Sequence, residues 1–210
     1  MQIVALALGL TAIGGAPEPD YRAELGARLA AEVRALATAQ SLDAAIERAV
    51  EIEDHVGPLV AVRYEAALAR NQAGSIRPAL VAYDQVLALD PDHIGALYDR
   101  GELLAVAGTE ADRQQARTDL ERAEQLRPDH WAVPYRLALL SARDHDARGM
   151  ADALTRSLRA GLDLGLLAND PAWRAVLPHP DTGPTLLRFA RTYGSDRLVQ
   201  QLEQRTGSPR

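Results

Sequence analysis

Residues 79–93 read ALVAYDQVLALDPDH, and residues 116–130 read ARTDLERAEQLRPDH. Ala79, Tyr83, Val86 and Pro91 stand at offsets 0, 4, 7 and 12, and Ala116, Leu120, Ala123 and Pro128 repeat those offsets. Steps of three and four residues place the first three positions on one face of a helix. The proline ends that helix, because it lacks the backbone donor and clashes with the preceding turn. The junctions match in chemistry as well: Asp90-Pro91-Asp92-His93 against Arg127-Pro128-Asp129-His130.

Weaker copies flank this pair. Ala45, Ala49, Ile52 and Gly57 keep the spacing with Gly for Pro, and Met150, Leu154, Ser157 and Leu162 keep it without a breaker. A second pattern precedes each of these helices. Tyr64, Tyr98 and Tyr135 each lie seven residues after a junction residue: Gly57, Pro91 and Pro128. Three residues beyond each Tyr stands a small residue, Ala67, Gly101 or Ala138, which lets two helices approach closely. The Tyr spacings are 34 and 37, and the three extra residues are assigned to the turn at 109–113.

The rest of the chain agrees. Leu25, Leu29, Val33 and Leu36 follow a helical period, and no stretch alternates in the two-residue period of a half-buried strand. Gly57-Pro58, Gly74, Pro91, Gly108, Pro128, Gly161, Pro171, Pro178 and Pro180 break the chain into helix-length pieces. Self-similarity at a fixed period of this length is the mark of a stacked repeat.

The repeat resembles the tetratricopeptide repeat family. The residues that carry the resemblance are the small Ala67, Gly101 and Ala138, the second-helix Ala79 and Ala116, the large Tyr83 and Leu120, and the junction Pro91 and Pro128. It covers about Leu25 to Leu162. Arg63 and Pro134 depart from it, standing where the family has a bulky residue, and Arg70 and Ser141 stand where it favours Tyr. The resemblance implies an all-α, right-handed superhelical array of three to four antiparallel helix hairpins. It also implies a non-catalytic role in binding another protein or peptide segment. The alternative is a regulatory or accessory subunit of an envelope enzyme or secretion complex.

Stacked repeats need an end that hides the last apolar face. Asp170-Pro171 is read as a helix start leading into residues 172–177, Pro184 opens a helix to about Tyr193, and Ser195 caps a last one through Leu198 and Leu202. The domains are therefore read as 17–162 for the array and 163–210 for a C-terminal cap and tail, frayed from Thr206 onward.

Residues 1–16 are read as an export leader. The uncharged run Ile3–Ala16, IVALALGLTAIGGA, has the length of a leader core, small residues follow it, and the chain then turns polar at Pro17-Glu18-Pro19-Asp20. Only Gln2 precedes the run, where a leader normally carries a cation. Export places the mature chain, starting between Gly15 and Pro17, in the periplasm or outside the cell. A first helix packed on the array would instead keep it cytoplasmic.

Composition excludes much chemistry. The 210 residues include no Cys and no Lys, so Cys-ligated zinc, thiol nucleophiles, P-loop lysines and Schiff bases are absent. A net charge of −6 argues against a general nucleic-acid binder. No HExxH, GxSxG, Walker A or GxGxxG occurs. His93 and His130 are repeat-equivalent junction residues, with Asp92 and Asp129 beside them read as caps of the next helix. Asp144-His145-Asp146 is the sharpest cluster and is read as a polar turn, not a metal or acid–base site. Glu102, Glu110, Asp112, Asp119, Glu121, Glu124 and Asp129 alternate with Arg and are read as a solvated face. No catalytic residue, metal or cofactor is expected.

What remains is surface for a partner. In such an array the first helices line the concave face, and equivalent positions form columns along it. Tyr64, Tyr98 and Tyr135 form one column; Leu68, Glu102 and Leu139, four residues on, share the face. Glu65, Asp99 and Arg136 form a charged row beside them. These nine residues are the candidate partner-binding set. The tyrosines have a competing role, packing between adjacent repeats.

Overall fold

The computed structural model describes residues 20–39 and 41–205. The leader-like run and residues 206–210 lie outside the described residues. Four helix hairpins follow one another: α1 (Tyr21–Thr38) with α2 (Leu42–Val56), α3 (Val60–Gln72) with α4 (Ile76–Leu89), α5 (Ile94–Ala107) with α6 (Glu110–Leu126), and α7 (Ala132–Arg143) with α8 (Ala147–Arg159). Two short helices, α9 (Gly165–Asn169) and α10 (Trp173–Val176), and a closing pair, α11 (Thr182–Tyr193) and α12 (Asp196–Arg205), complete the described chain. There is no strand among the described residues.

The repeat positions are the core. Ala79, Tyr83, Val86, Ala116, Leu120 and Ala123 are fully enclosed, and so are Met150, Leu154 and Ser157 of the fourth hairpin. Ala45, Ala49 and Ile52 hold the same buried places in the first hairpin. Ser157 is tolerated there because its hydroxyl donates to the Trp131 carbonyl at 2.7 Å. The small residue after each Tyr does what close approach requires. A Cβ on Gly101 would sit 3.0 Å from Leu120 Cγ and 3.3 Å from the Ala116 carbonyl oxygen.

The cap is continuous with the array. Trp173, Leu167, Leu186, Leu198 and Leu202 join Leu154, Leu120 and Tyr83 in one apolar cluster. Shielding this end keeps the last repeat's apolar face out of water. The first hairpin packs in a separate cluster with α3, through Val33, Ile52, Val62 and Ala66.

Four local readings need correction. The three-residue insertion is helical, not a turn: α6 has 17 residues and α4 has 14. A capping box starts the extra helical turn, with Asp112 N–H donating to Thr109 Oγ1 at 3.1 Å and the Asp112 carboxylate accepting from Thr109 N–H. Asp92 does not cap α5. His93 does, its Nδ1 accepting from Ala96 N–H at 3.1 Å, while Asp92 pairs with Arg122. Asp129 likewise leaves the N-cap of α7 to Trp131 and faces Arg127 at 3.6 Å. Asp170 is the C-cap of α9, its carboxylate accepts from Ala172 N–H at 2.9 Å, and the helix expected over residues 172–177 is shorter, Trp173–Val176, with Ala172 at its N-cap.

Candidate functional site: a groove between the last two hairpins and the cap

The first helices stack in register, and that register decides what the candidate residues touch. Tyr64 donates its hydroxyl to Asp99 Oδ2 at 2.7 Å. One hairpin on, Arg136 Nε donates to the Tyr98 hydroxyl at 3.3 Å. One further on, Tyr135 donates to Asp170 Oδ2 at 2.8 Å and accepts from Trp173 Nε1 at 2.9 Å. At the start of the array Arg34 Nε donates to Glu65 Oε1 at 2.9 Å. Each member of the charged row Glu65, Asp99 and Arg136 is thus taken by the preceding hairpin. The column and the row tie repeats together along the array.

Burial grades these residues. Tyr135 and Glu65 are enclosed, at 4% and 5% exposure. Tyr64, Leu68, Tyr98, Asp99, Glu102, Arg136 and Leu139 are half-buried. Burial raises the hydroxyl pKa of Tyr64, Tyr98 and Tyr135, so they stay neutral. Burial also pushes the Asp99 carboxyl up to about 6; the Tyr64 hydrogen bond opposes the shift and the Glu102 charge adds to it.

Beyond this ladder a groove opens. It encloses about 380 Å³ between α5, α7 and α10. Leu139 and Ala142 of α7, Val106 of α5 and Ala175 and Val176 of α10 give it an apolar wall. Val106 is 64% exposed. Glu102 and Arg136 also line the groove and pair with each other. Arg143 lines it too, donates to the Ala105 carbonyl, and has no carboxylate partner among the described residues. His145 and His179 close one side, with their rings stacked.

The groove therefore gathers Glu102, Arg136 and Leu139 from the candidate set, and leaves Tyr64, Glu65 and Leu68 outside it, on α3 of the preceding hairpin. It adds Val106, Arg143, Ala175 and His179, which the repeat pattern does not mark, because two of them belong to the cap.

Asp144-His145-Asp146 is a built turn. His145 takes the left-handed conformation at φ 60°, and Asp146 caps α8 by accepting from Gly149 N–H at 2.9 Å. Asp144 accepts from Arg113 Nε at 3.1 Å and Arg117 Nη2 at 2.9 Å. Arg113 stands on the turn that the insertion adds to α6, so the extra helix supports the turn that walls the groove. The acidic face of this repeat is not uniformly solvated either. Asp119 is 2% exposed and is held by Arg100. No group of three or more His, Asp or Glu among the described residues is placed to hold a metal ion. No helix among them is long and apolar enough to cross a membrane.

No protein-family model matches the chain, and no curated protein matches it. Solved structures do. MamA (41-end) from Desulfovibrio magneticus RS-1 superposes with a TM-score of 0.65 at 19% identity, covering 89% of this chain and 98% of that one. A tetratricopeptide repeat protein from Parabacteroides merdae gives 0.61 at 13% identity, covering 87% and 72%. TTC0263, a thermophilic repeat protein of the same class from Thermus thermophilus, gives 0.56 at 15%, covering 87% and 98%. With its four stacked hairpins, buried repeat positions and helical end, the chain has the tetratricopeptide-repeat fold.

Proposed function

We propose that the protein is a non-catalytic scaffold that docks a partner protein in the groove between α5, α7 and α10. One observation carries this reading: a cavity of about 380 Å³ with an apolar wall, on the side of the array where first helices meet the cap. Concave surfaces of this kind are what helical solenoids use for binding. The wall suits apolar side chains of a helix or extended segment. Arg143, the groove's one guanidinium without a carboxylate among the described residues, suits an acidic residue in that segment. Half-buried Leu139 lines the groove, and half-buried Tyr98, one helical turn before Glu102 on α5, offers further contact area.

The Ile3–Ala16 run supports placing this scaffold in a bacterial envelope as an assembly factor. N-terminal sequencing of the chain expressed with its leader in a Gram-negative host is expected to start between Gly15 and Pro17. An intact Met1 in the cytoplasm removes the envelope assignment and leaves the docking reading standing.

The groove is tested by affinity capture from a native lysate with the wild type beside Val106→Arg and Ala175→Arg. Both positions are exposed, so the long cation fills the groove without disturbing the core. A partner recovered by the wild type and lost by both variants is the expected result. A partner retained by both variants places docking elsewhere on the chain.

A further inference from the structure

The cap is fastened to the array by buried packing and, at its edge, by a ring stack. The inner fastening sets α11 on α8 and Trp173 against Tyr135, at 5.9 Å between ring centroids. The outer fastening is His145 on His179, with ring centroids 3.8 Å apart and ring planes within 5°. His145 belongs to the α7–α8 turn and His179 to the loop between α10 and α11, flanked by Pro178 and Pro180. Both rings line the groove. Two parts of the chain 34 residues apart thus meet through a pair of imidazoles, the side-chain type that serves as a physiological pH switch.

We propose that the His145–His179 stack is a pH-sensitive latch: it holds the cap's outer loop against the last hairpin at neutral pH and releases when both rings are protonated. Neutral rings stack freely, and one imidazolium on one neutral ring is attractive. Two unit charges this close repel. The surrounding charges do not cancel that repulsion. On the His145 side, Asp144 is spent on Arg113 and Arg117, Asp146 caps α8, and Arg143 is cationic. On the His179 side, Asp181 Oδ2 lies 4.0 Å from Nδ1, and that nitrogen accepts from Asp181 N–H at 3.3 Å. Asp170 is engaged by Tyr135, and Glu102 of α5 by Arg136. Asp181 is therefore the one carboxylate among those named that is left to offset two imidazolium charges.

Two backbone hydrogen bonds fasten His179 to the segments on either side: His179 N–H donates to the Val176 carbonyl at 3.2 Å, and Gly183 N–H donates to the His179 carbonyl at 3.0 Å. Release would break these two bonds as the loop swings outward while Trp173 stays buried, widening the groove. What the latch does for docking rests on the groove being the partner site; the latch itself is tested with no partner present.

The test is amide hydrogen exchange on the full chain at pH 7.5 and pH 5, corrected for intrinsic rates. Protection at His179 and Gly183 is expected to fall on the order of tenfold in the wild type, with Leu177 at the C-cap of α10 unchanged. It is expected to stay flat in His145→Asn, which tolerates the left-handed backbone, and in His179→Asn, which keeps an acceptor for Asp181 N–H. Equal loss in wild type and variants, or none in the wild type, overturns the latch. A second reading needs no variant. Ring-to-ring nuclear Overhauser contacts between the two histidines should vanish at pH 5, and their persistence with both rings protonated overturns it too. Failure of partner capture would leave these outcomes unchanged, so the two proposals fall separately.

Discussion

Arg100 grips Asp119 with two parallel hydrogen bonds, Nε to Oδ2 at 2.8 Å and Nη2 to Oδ1 at 2.7 Å, between the two helices of the third hairpin. The carboxylate is 3% exposed and the guanidinium 17%. Gln115 adds a third donor to Asp119 at 2.9 Å, and Asp84 of the preceding hairpin takes Arg100 Nη1 at 2.6 Å. A buried pair of this kind is worth less against an apolar replacement than against a broken half. Asp119→Ala is therefore expected to lower stability by about 3 kcal/mol, because Arg100 is left with one exposed partner. Arg100→Met with Asp119→Leu together is expected to cost less than Asp119→Ala alone. Urea unfolding of these variants measures both, and a double variant worse than the single would show that the pair is net stabilising.

Tyr135 and Tyr98 occupy equivalent repeat positions and are expected to respond differently. Tyr135 is buried, and its hydroxyl is held from both sides by Asp170 and Trp173. Tyr135→Ala should cost about 3–5 kcal/mol of stability. Tyr135→Phe should cost about 1–2 kcal/mol, leaving the Trp173 donor without its partner. Tyr98 is half-buried with one long bond to Arg136. Tyr98→Ala should cost stability less than Tyr135→Ala, and affinity for a captured partner on the order of 2 kcal/mol. Thermal melts and partner titrations on the same proteins separate the roles. A Tyr98→Ala melt as damaging as that of Tyr135→Ala, with affinity unchanged, would make both tyrosines core.

The offsets 0, 4, 7 and the Tyr-to-small spacing were legible in the sequence because burial in a helix pair is periodic, and period survives in one chain. The helical insertion was legible as well, since Thr109-Glu110-Ala111-Asp112 spells a capping box, yet length alone suggested a turn. The joining of Tyr64 to Asp99 and of Tyr98 to Arg136 was not legible. It depends on the register between hairpins, and no local signal records that register. The groove was half legible for the same reason: Glu102, Arg136 and Leu139 follow the repeat, whereas Ala175 and His179 arrive from a cap that obeys no repeat. Asp119 shows the limit of charge patterning, because one carboxylate in an interleaved acidic helix faces inward and its neighbours do not.

Asp99 gives the array a pH dependence of its own. Burial raises its folded-state pKa from 3.8 to about 6. The folded chain therefore holds this proton more tightly than the unfolded chain does. The associated stability is fully present below the unfolded value and is lost as pH rises through about 6. Asn at this position removes the titrating group and keeps an oxygen for the Tyr64 hydroxyl. Asp99→Asn is expected to raise stability by about 2 kcal/mol at pH 7.5 and to change it little at pH 4. Unfolding curves at the two pH values test the sign. Stabilisation at pH 4 that disappears at pH 7.5 would mean that the carboxylate is favoured in the folded state.

Two glycines are expected to answer alanine in opposite ways. Gly26 lies inside α1, where an added Cβ meets Ala61 Cβ at 3.9 Å and Leu59 Cβ at 4.0 Å, ordinary contact distances. Gly26→Ala should stabilise by about 0.5–1 kcal/mol, the difference in helix propensity. Gly183 begins α11 where the chain doubles back on α10, and its Cβ would lie 2.1 Å from the Leu177 carbonyl oxygen and 2.9 Å from the Leu177 carbonyl carbon. Both atoms are backbone, so no rotamer relieves the clash, and the loop must move instead. Gly183→Ala is expected to cost about 3 kcal/mol and to loosen α11 first. The loosening should then spread to Trp173 of α10 and Leu198 of α12, which share the cap's apolar cluster. Hydrogen exchange across residues 171–205, with Trp fluorescence for Trp173, follows that order. A Gly183→Ala cap as protected as the wild type would show that the α10–α11 turn can rebuild around a methyl group, and would remove close backbone approach as the reason for glycine there.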